Sequence, residues 1–373
     1  MMKRFKAFTS SVIGREHVRS GKVCQDSVGS YEDDDMVIAV VSDGHGSPQY
    51  FRSDRGSAFA VEVSLRCVRE FISSFDLHGS CDSSLLPLSE LDDPDSAEQY
   101  LHRLEESILV EWSNMVEEDR YKDPFTEEDL APLSPKYRTR YRGDLYPHAY
   151  GATLIITAAT ERFWFVIQMG DGYAVKTGRD GSTDVALELD PLCQFNISTS
   201  LCLEDAMEHF CHVFSTELPA ALFAASDGVD DSYVSRELLT DLYESIVIGF
   251  GNGFEAGKKK VEDFLPVITR DGKGDDTSMV GIIDVSVIEK IAGECREKRR
   301  KRKDAAHISQ TSDEPWDGLS EPQGDAADLS EDMPEPGQIQ DGSEDTGDGS
   351  AAQNEDTAAE TAAEPIAEEG DNA

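Results

Sequence analysis

Six short segments of this chain read as strands: MVIAVVS (36–42), ATLIITAA (152–159), RFWFVIQM (162–169), GYAVKTG (172–178), PAALFAAS (219–226) and SMVGIIDV (278–285). The first is apolar without a break, the mark of a strand buried on both faces. A strand covered on both sides needs other layers above and below it, so this run constrains the fold more than any other feature. The close succession of 152–159, 162–169 and 172–178 is the spacing of hairpins and predicts an antiparallel sheet.

Between the strands lie segments with the helical period. Ala58, Val61, Leu65, Val68, Ile72 and Phe75 recur at steps of three and four, as do Ala97, Leu101, Leu104, Ile108, Trp112 and Met115. A Ser/Pro/Asp-rich break at 79–96 separates the two, so a helix pair packed antiparallel on a sheet is expected. Further helical segments fall near 235–248 and 255–268. The polar stretch 117–149 has no clear period and is too long for a plain connector, so it is functional or mobile. Within it, YRTRYR (137–142) either lines an approach to a site or is a solvated loop. Trp112 and Trp164 read as core.

Charge divides the chain. The formal net charge is −41, but after Lys303 there is no Lys or Arg and there are 21 Asp and Glu. Residues 1–303 therefore carry 54 acids against 34 bases, still acidic, which argues against a nucleic-acid binder. The segment VIEKIAGECREKRRKRKD reads as a helix ending in a basic cluster, with seven Lys or Arg in the eight residues 296–303. That cluster is a solvated helix end, or a site for an acidic partner or for the acidic tail. From 304 onward the composition is that of a disordered tail. The expected organisation is a folded domain over 1–290, a basic helical extension over 291–303 and an acidic tail over 304–373. Seven cysteines without a CxxC pair read as free thiols in a reducing compartment. MMKRFKAFTSSVIG lacks the apolar core of a signal peptide, and no segment has the roughly 20 apolar residues of a membrane span. A cytoplasmic monomer, free of membrane, is expected.

The strand tips carry the chemistry. VIAVVSDGHGS (38–48) and ALFAASDGVDD (221–231) both run from an apolar strand into Ser-Asp-Gly. One such Asp-Gly is an ordinary turn. Here there are several: Asp26 in CQDS, Asp43 in SDGHG, Asp171 in MGDG, Asp227 and Asp231 in SDGVDD, and Asp275 and Asp276 in GKGDDTS. Carboxylates on rigid strand ends can converge on hard divalent cations, and glycine beside them lets a carbonyl approach without a Cβ in the way. Converging acids would repel one another strongly without such cations.

The ordered set CQDS, SDGHGS, YGATL, MGDG, SDGVDD and GDDTSMV resembles the type 2C metal-dependent Ser/Thr protein phosphatases, specifically their bacterial branch, over about residues 8–285. The resemblance implies an α+β fold: a four-layer α-β-β-α sandwich of two antiparallel sheets flanked by antiparallel helix pairs. It implies two Mn²⁺ or Mg²⁺ ions in the cleft between the sheets, with a looser third position. In the roles it carries over, Asp43 bridges both ions and the Gly44 carbonyl binds the second. Asp227 and Asp275 complete the first site, and Asp26 acts on the second through water. Asp171 and Asp231, with Asp227, match the third position. Asp275 is favoured over Asp276 because the motif reads Asp-x-x-Ser, ending at Ser278. A metal-bound water would attack phosphorus and His45 would protonate the leaving oxygen; the alternative for His45 is a turn histidine. One position departs from the family. Where it has a phosphate-gripping Arg about five residues before the first Asp, this chain has Gly21, and Arg15, His17, Arg19 and Lys22 stand as alternatives. The implied substrate is a phosphorylated protein, with a Ser/Thr kinase as the opposing partner. A non-catalytic phosphoprotein scaffold and a small-molecule phosphoester hydrolase are the rivals. Retention of the acids and His45 speaks against the first.

Overall fold

The computed structural model describes residues 4–311, except 81, 194–197, 231, 232 and 234, and the side chains of Asp230 and of 303–311. Asp231, Cys81 and the acidic stretch from 312 lie outside the described residues. The chain divides into a unit of residues 1–337, which holds every element below, and a second unit of 338–373.

Two five-stranded sheets form the centre. One holds β2 (Ser27–Glu32), β3 (Met36–Ser42), β4 (Leu154–Thr160), β5 (Trp164–Met169) and β8 (Cys211–Ser215), in that spatial order. The other runs β1 (Phe5–Val12), β10 (Thr277–Asp284), β9 (Ala221–Ala225), β6 (Ala174–Thr177) and β7 (Thr183–Val185). Every pairing is antiparallel. The apolar runs are continuous because their two faces enter two different cores. Val37, Ala39 and Val41 of β3 face the inter-sheet core with Leu222, Ala224, Val280 and Ile282 of the opposite sheet. Met36, Ile38 and Val40 face the helices on the other side. The same period of two divides β9, where Phe223 and Ala225 enter the second helical core.

Over the first sheet lie α2 (Ser53–Ser73) and α3 (Pro94–Lys122). Asp93 caps α3 by accepting the Ser96 N–H at 3.0 Å, with Pro94 in the first turn. The expected stripe of α3 is buried, apart from half-buried Met115. On α2, Val61, Val68 and Ile72 of the expected stripe are buried and Leu65 is half-buried; Ala58 is exposed, and the buried face widens to Gly56, Ala60, Val63 and Cys67. Small residues let α2 lie close: a Cβ on Gly56 would meet the Tyr150 carbonyl oxygen at 1.8 Å, and Trp112 Nε1 donates to the Gly56 carbonyl at 3.0 Å. The stretch expected to lack period is structured. It contains the end of α3, then α4 (Glu127–Leu130), α5 (Pro135–Arg142) and a 3₁₀ turn over Tyr146–Tyr150. Short capped turns leave no long apolar period to read: Thr126 forms a capping box with Asp129, and Ser134 caps α5.

Over the second sheet lie α7 (Arg236–Phe250), α8 (Phe254–Asp271) and α9 (Ile288–Thr311). The second helical layer thus has three members rather than a pair. α9 begins before the domain edge expected at 290. Its Ile288, Ile291, Ala292 and Cys295 are buried in the second helical core. Two short helices complete the set: α1 (Arg15–Ser20), after β1, and α6 (Asp227–Asp230), after β9. Among the described residues no helix is long and apolar enough to cross a membrane.

Candidate metal centre

Antiparallel strands from both sheets end at one place, and the chain turns there in short loops bearing acids. Asp43 follows β3. Its N–H donates to Thr153 Oγ1 at 3.1 Å, and its carbonyl accepts the Thr153 N–H at 2.8 Å, so the turn before β4 fixes its backbone. Gly44 is wedged behind it: a Cβ there would lie 2.6 Å from the Ser53 carbonyl oxygen and 2.8 Å from that of Gln25. No other residue fits without displacing the start of α2 or the segment before Asp26.

Asp26 precedes β2 and is buried. Its Oδ2 accepts the Ser226 hydroxyl at 2.8 Å, and Ser226 Oγ in turn accepts the Ser278 N–H at 3.1 Å. Asp227 begins α6 immediately after Ser226. Its position depends on glycine again, since a Cβ on Gly228 would meet the Asp276 carbonyl oxygen at 1.9 Å. Asp275 and Asp276 precede β10 and have opposite surroundings. Asp276 is 3% exposed and serves as a clamp: Oδ1 accepts the Gly14 N–H and Oδ2 the Gln25 N–H, each at 2.6 Å. The Asp275 side chain is 55% exposed and opens toward the acid cluster.

Four of these acids share one electrostatic environment. Burial, then the charges of Asp26 and Asp227, a hydrogen bond with Asp227, and the charge of Asp275, hold the Asp43 carboxyl well above the usual carboxylate range. Burial raises Asp26 to about 7; hydrogen bonds from Ser278 and Ser226 oppose this, and the charges of Asp276 and Asp227 add to it. Among the described residues no three His, Cys, Asp or Glu side chains form a ready-made ligand set. The donor chemistry nevertheless fits a hard divalent cation. Asp26 Oδ1 is buried without a hydrogen-bond partner, and Asp26 and Asp43 are carboxylates raised first by burial and then by neighbouring acids.

Asp171 lies in the turn between β5 and β6, where Ser198 Oγ donates to its Oδ1 at 2.8 Å. A Cβ on the next residue, Gly172, would meet the Ala225 carbonyl oxygen at 2.3 Å, so this turn abuts the end of β9 that leads to Asp227.

His45 packs its ring against Tyr50, with centroids 4.7 Å apart, and its N–H donates to the Gly151 carbonyl at 3.1 Å. Burial, then the nearby His148, lowers its pKa to about 4, so the imidazole is neutral. The four cationic candidates separate. His17 is buried, with Nδ1 3.0 Å from Asp276 Oδ1 and Nε2 3.9 Å from Asp275 Oδ1. Arg15 donates to the Arg270 carbonyl and to Glu16. Arg19 holds both oxygens of Glu16, at 2.9 and 3.0 Å. Lys22 reaches the acid-bearing loop itself, its Nζ donating to the Gly46 carbonyl at 3.1 Å. YRTRYR is α5: Tyr141 is buried and donates to the Gln49 carbonyl, and Arg142 pairs with Glu127. Arg140 is the member that acts toward the site, its charge lowering the pKa of His148 after burial does so.

Sequence reasoning passed over Ser226, Thr153, Ser198 and the clamp role of Asp276. Ser226 carries a signal in retrospect, since Ser precedes Asp at both strand tips, but its bond to Asp26 spans 200 residues.

A family profile described as Protein phosphatase 2C matches residues 13–265. No curated protein sequence matches significantly. Among solved structures, a bacterial serine phosphatase is 12% identical, with 75% of this chain and 98% of that chain covered and a TM-score of 0.47. The serine/threonine phosphatase Stp1 from Staphylococcus aureus is 14% identical, with 76% and 95% covered and a TM-score of 0.46. The catalytic domain of the serine threonine protein phosphatase PstP, in complex with two manganese ions, is 14% identical, with 75% and 97% covered and a TM-score of 0.43.

Proposed function

Because the chain belongs to the protein phosphatase 2C family, we propose that it is a metal-dependent protein serine/threonine phosphatase whose reaction centre is the acid cluster at the strand tips. The observation that carries this reading is the packing of the turns that bear Asp26, Asp43, Asp227 and Asp275 against one another, through Ser226 on Asp26, Asp276 on Gln25, and the close approaches at Gly44 and Gly228, beside an orphaned buried carboxylate oxygen. A structural role for four such acids would require bases among them, and the His17 ring lies 3.0 Å from Asp276 and 3.9 Å from Asp275.

Asp26, Asp43, Asp227 and Asp275, with the Gly44 carbonyl, would hold Mn²⁺ or Mg²⁺, and Asp171 and Asp231 a looser further ion. When bound, such ions acidify a water for attack on phosphorus and offset the charge of the phosphoryl oxygens. The chain's own groups supply the rest. Ser226 and Ser278 hold Asp26 in one orientation. Asp276 ties the segment before Asp26 to the start of β10, so acids 249 residues apart in sequence keep a fixed spacing. Lys22, on the loop side, is the group proposed to contact the phosphoryl oxygens in place of the family's Arg. His45 is proposed to protonate the leaving Ser or Thr oxygen. Burial and His148 leave the resting imidazole neutral, so the proton it delivers would be taken up from solvent beside the phosphoryl dianion, whose charge raises an imidazole pKa. The substrate is then a phosphorylated protein, and the partner a Ser/Thr kinase whose action the enzyme reverses.

The test is hydrolysis of p-nitrophenyl phosphate and of a phosphothreonine peptide with Mn²⁺ or Mg²⁺. Both activities should vanish in EDTA. Asp43→Asn should lower kcat at least a hundredfold on both, because catalysis by an activated water fails when its cation is lost. Full-length protein that is folded yet inactive with either ion would falsify the reading.

A further inference from the structure

Among the described residues eight large apolar side chains are exposed, and three of them fall within eleven residues: Ile13 at 37%, Val18 at 61% and Val23 at 60%. That stretch comprises α1 and the segments before and after it. It is firmly anchored to the fold. The Glu16 N–H donates to the Gly274 carbonyl, the Arg15 N–H to Thr269 Oγ1, and the Gly14 N–H to Asp276. It is also continuous with the reaction centre. Val18 follows His17, whose Nε2 is 3.9 Å from Asp275. Val23 follows Lys22, which bonds Gly46 in the Asp43–Gly46 loop. Gln25, two residues on, donates through Nε2 to the His45 carbonyl at 3.1 Å. Val18 and Val23 thus expose apolar side chains on a segment whose backbone and Lys22 are bonded to the turns that carry Asp276 and Gly46.

The charge of this rim identifies its occupant. Residues 1–303 are acidic as a whole, yet this stretch carries Arg15, Arg19 and Lys22 against the single acid Glu16. Arg15 and Arg19 share Glu16, whereas Lys22 pairs with a neutral carbonyl and with no carboxylate among the described residues. A cation next to an exposed valine suits a dianionic phosphate next to an apolar side chain.

We propose that α1 and the segment 21–25 form a docking rim for a phosphorylated polypeptide, with Val18 and Val23 covering an apolar side chain adjacent to the phosphorylated Ser or Thr. This rests on the phosphatase reading above and narrows its substrate class. A small phosphoester has no flanking side chain to bury and gains nothing from the valines, so the rim separates protein substrates from small ones.

The experiment uses the full chain with Mn²⁺ and compares it with the double variant Val18→Ser, Val23→Ser. Both positions are exposed and outside the cores, so the melting temperature should hold. Substrates are a phosphothreonine peptide with a flanking Leu, the same peptide with Gly there, and p-nitrophenyl phosphate. Binding of the Leu peptide as a non-hydrolysable phosphonate is measured beside turnover. The variant should lose roughly tenfold in kcat/KM on the Leu peptide, through KM, with the same loss in phosphonate affinity. It should keep p-nitrophenyl phosphate turnover within about twofold, since uniform binding is all that the valines supply. Equal phosphonate binding by the two proteins overturns the rim whatever the turnover. So does an equal loss on all three substrates, which would mark a structural effect. A wild-type chain that hydrolyses nothing but binds the Leu phosphonate tenfold better than the variant keeps the rim and removes the phosphatase reading.

Discussion

Two adjacent acids, Asp275 and Asp276, illustrate how little of a residue's role lies in its type. Both carry carboxylates, and both precede the same strand. Asp276 is spent on two backbone N–H groups and lies against His17, while Asp275 contributes its charge to the Asp43 environment. Removing a buried acceptor leaves its donors unsatisfied, whereas removing an exposed acid from a crowd of like charges relieves repulsion. Asp276→Ala should therefore lower stability by roughly 2–4 kcal/mol. Asp275→Asn should leave the melting temperature of the metal-free protein unchanged or higher while abolishing metal-dependent turnover. Thermal unfolding in EDTA beside steady-state kinetics separates the two, and a reversed pattern would exchange their roles.

At the scale of elements, helix α3 and strand β8 meet through a polar contact inside an otherwise apolar layer. His212 on β8 lies 2.7 Å from Glu105 and 2.9 Å from Glu98 of α3. Burial by itself would lower the imidazole pKa; the hydrogen bond and charge of Glu105, then those of Glu98, outweigh it and raise the pKa to about 9. The folded pKa lies above the unfolded one of 6.5. The contribution to stability is therefore fully present below about pH 6.5 and is lost as pH rises through about 9. His212→Gln should flatten the decline in urea-unfolding free energy between these values and cost roughly 2–4 kcal/mol at pH 6. A variant whose decline between pH 6.5 and 9 matches that of the wild type would show that another group is responsible. His102, 3.6 Å from Glu105, and Cys211, whose thiol is raised by burial and then by neighbouring charges that include Glu105, also face this carboxylate.

For the whole molecule the question is where the catalytic unit ends. α9 serves two purposes along its length. Its first turns bury Ile288, Ile291, Ala292 and Cys295 in the second helical core, and its basic stretch grips α7, with Arg302 on Asp241 and Glu244 and Arg299 on Ser245. Four apolar side chains at ~1.5 kcal/mol each amount to about 6 kcal/mol, comparable with the whole stability of a domain. Truncation after Val287 should leave no cooperative unfolding transition. Truncation after Lys303 should keep p-nitrophenyl phosphate turnover within a few-fold and the melting temperature within a few degrees. A sharp fall in melting temperature for the longer truncation would place part of the acidic stretch inside the folded unit.

Sequence alone determined the six strands whose neighbours lie on both sides. β3, β4, β5, β6, β9 and β10 are the interior members of the two sheets; all but β6 are legible as apolar runs, and β6, within GYAVKTG, by its hairpin spacing. β1, β2, β7 and β8 are the four sheet edges, and none was read. An edge strand is half solvated: FKAFTSSV has two buried positions among half-buried and exposed ones and SVGSYE has none, so no apolar pattern marks them. The acids were legible for a related reason. Each motif is local, most of them an aspartate beside a glycine at a strand end, and the order of the six motifs carries the resemblance. Which neighbour each acid meets is not local. Asp276 as a clamp, Ser226 beneath Asp26, and Lys22 as the one candidate cation reaching the Gly46 loop depend on bonds across 251, 200 and 24 residues. Tertiary structure decided those, because a carboxylate's burial and partners are set by the segments that fold over it.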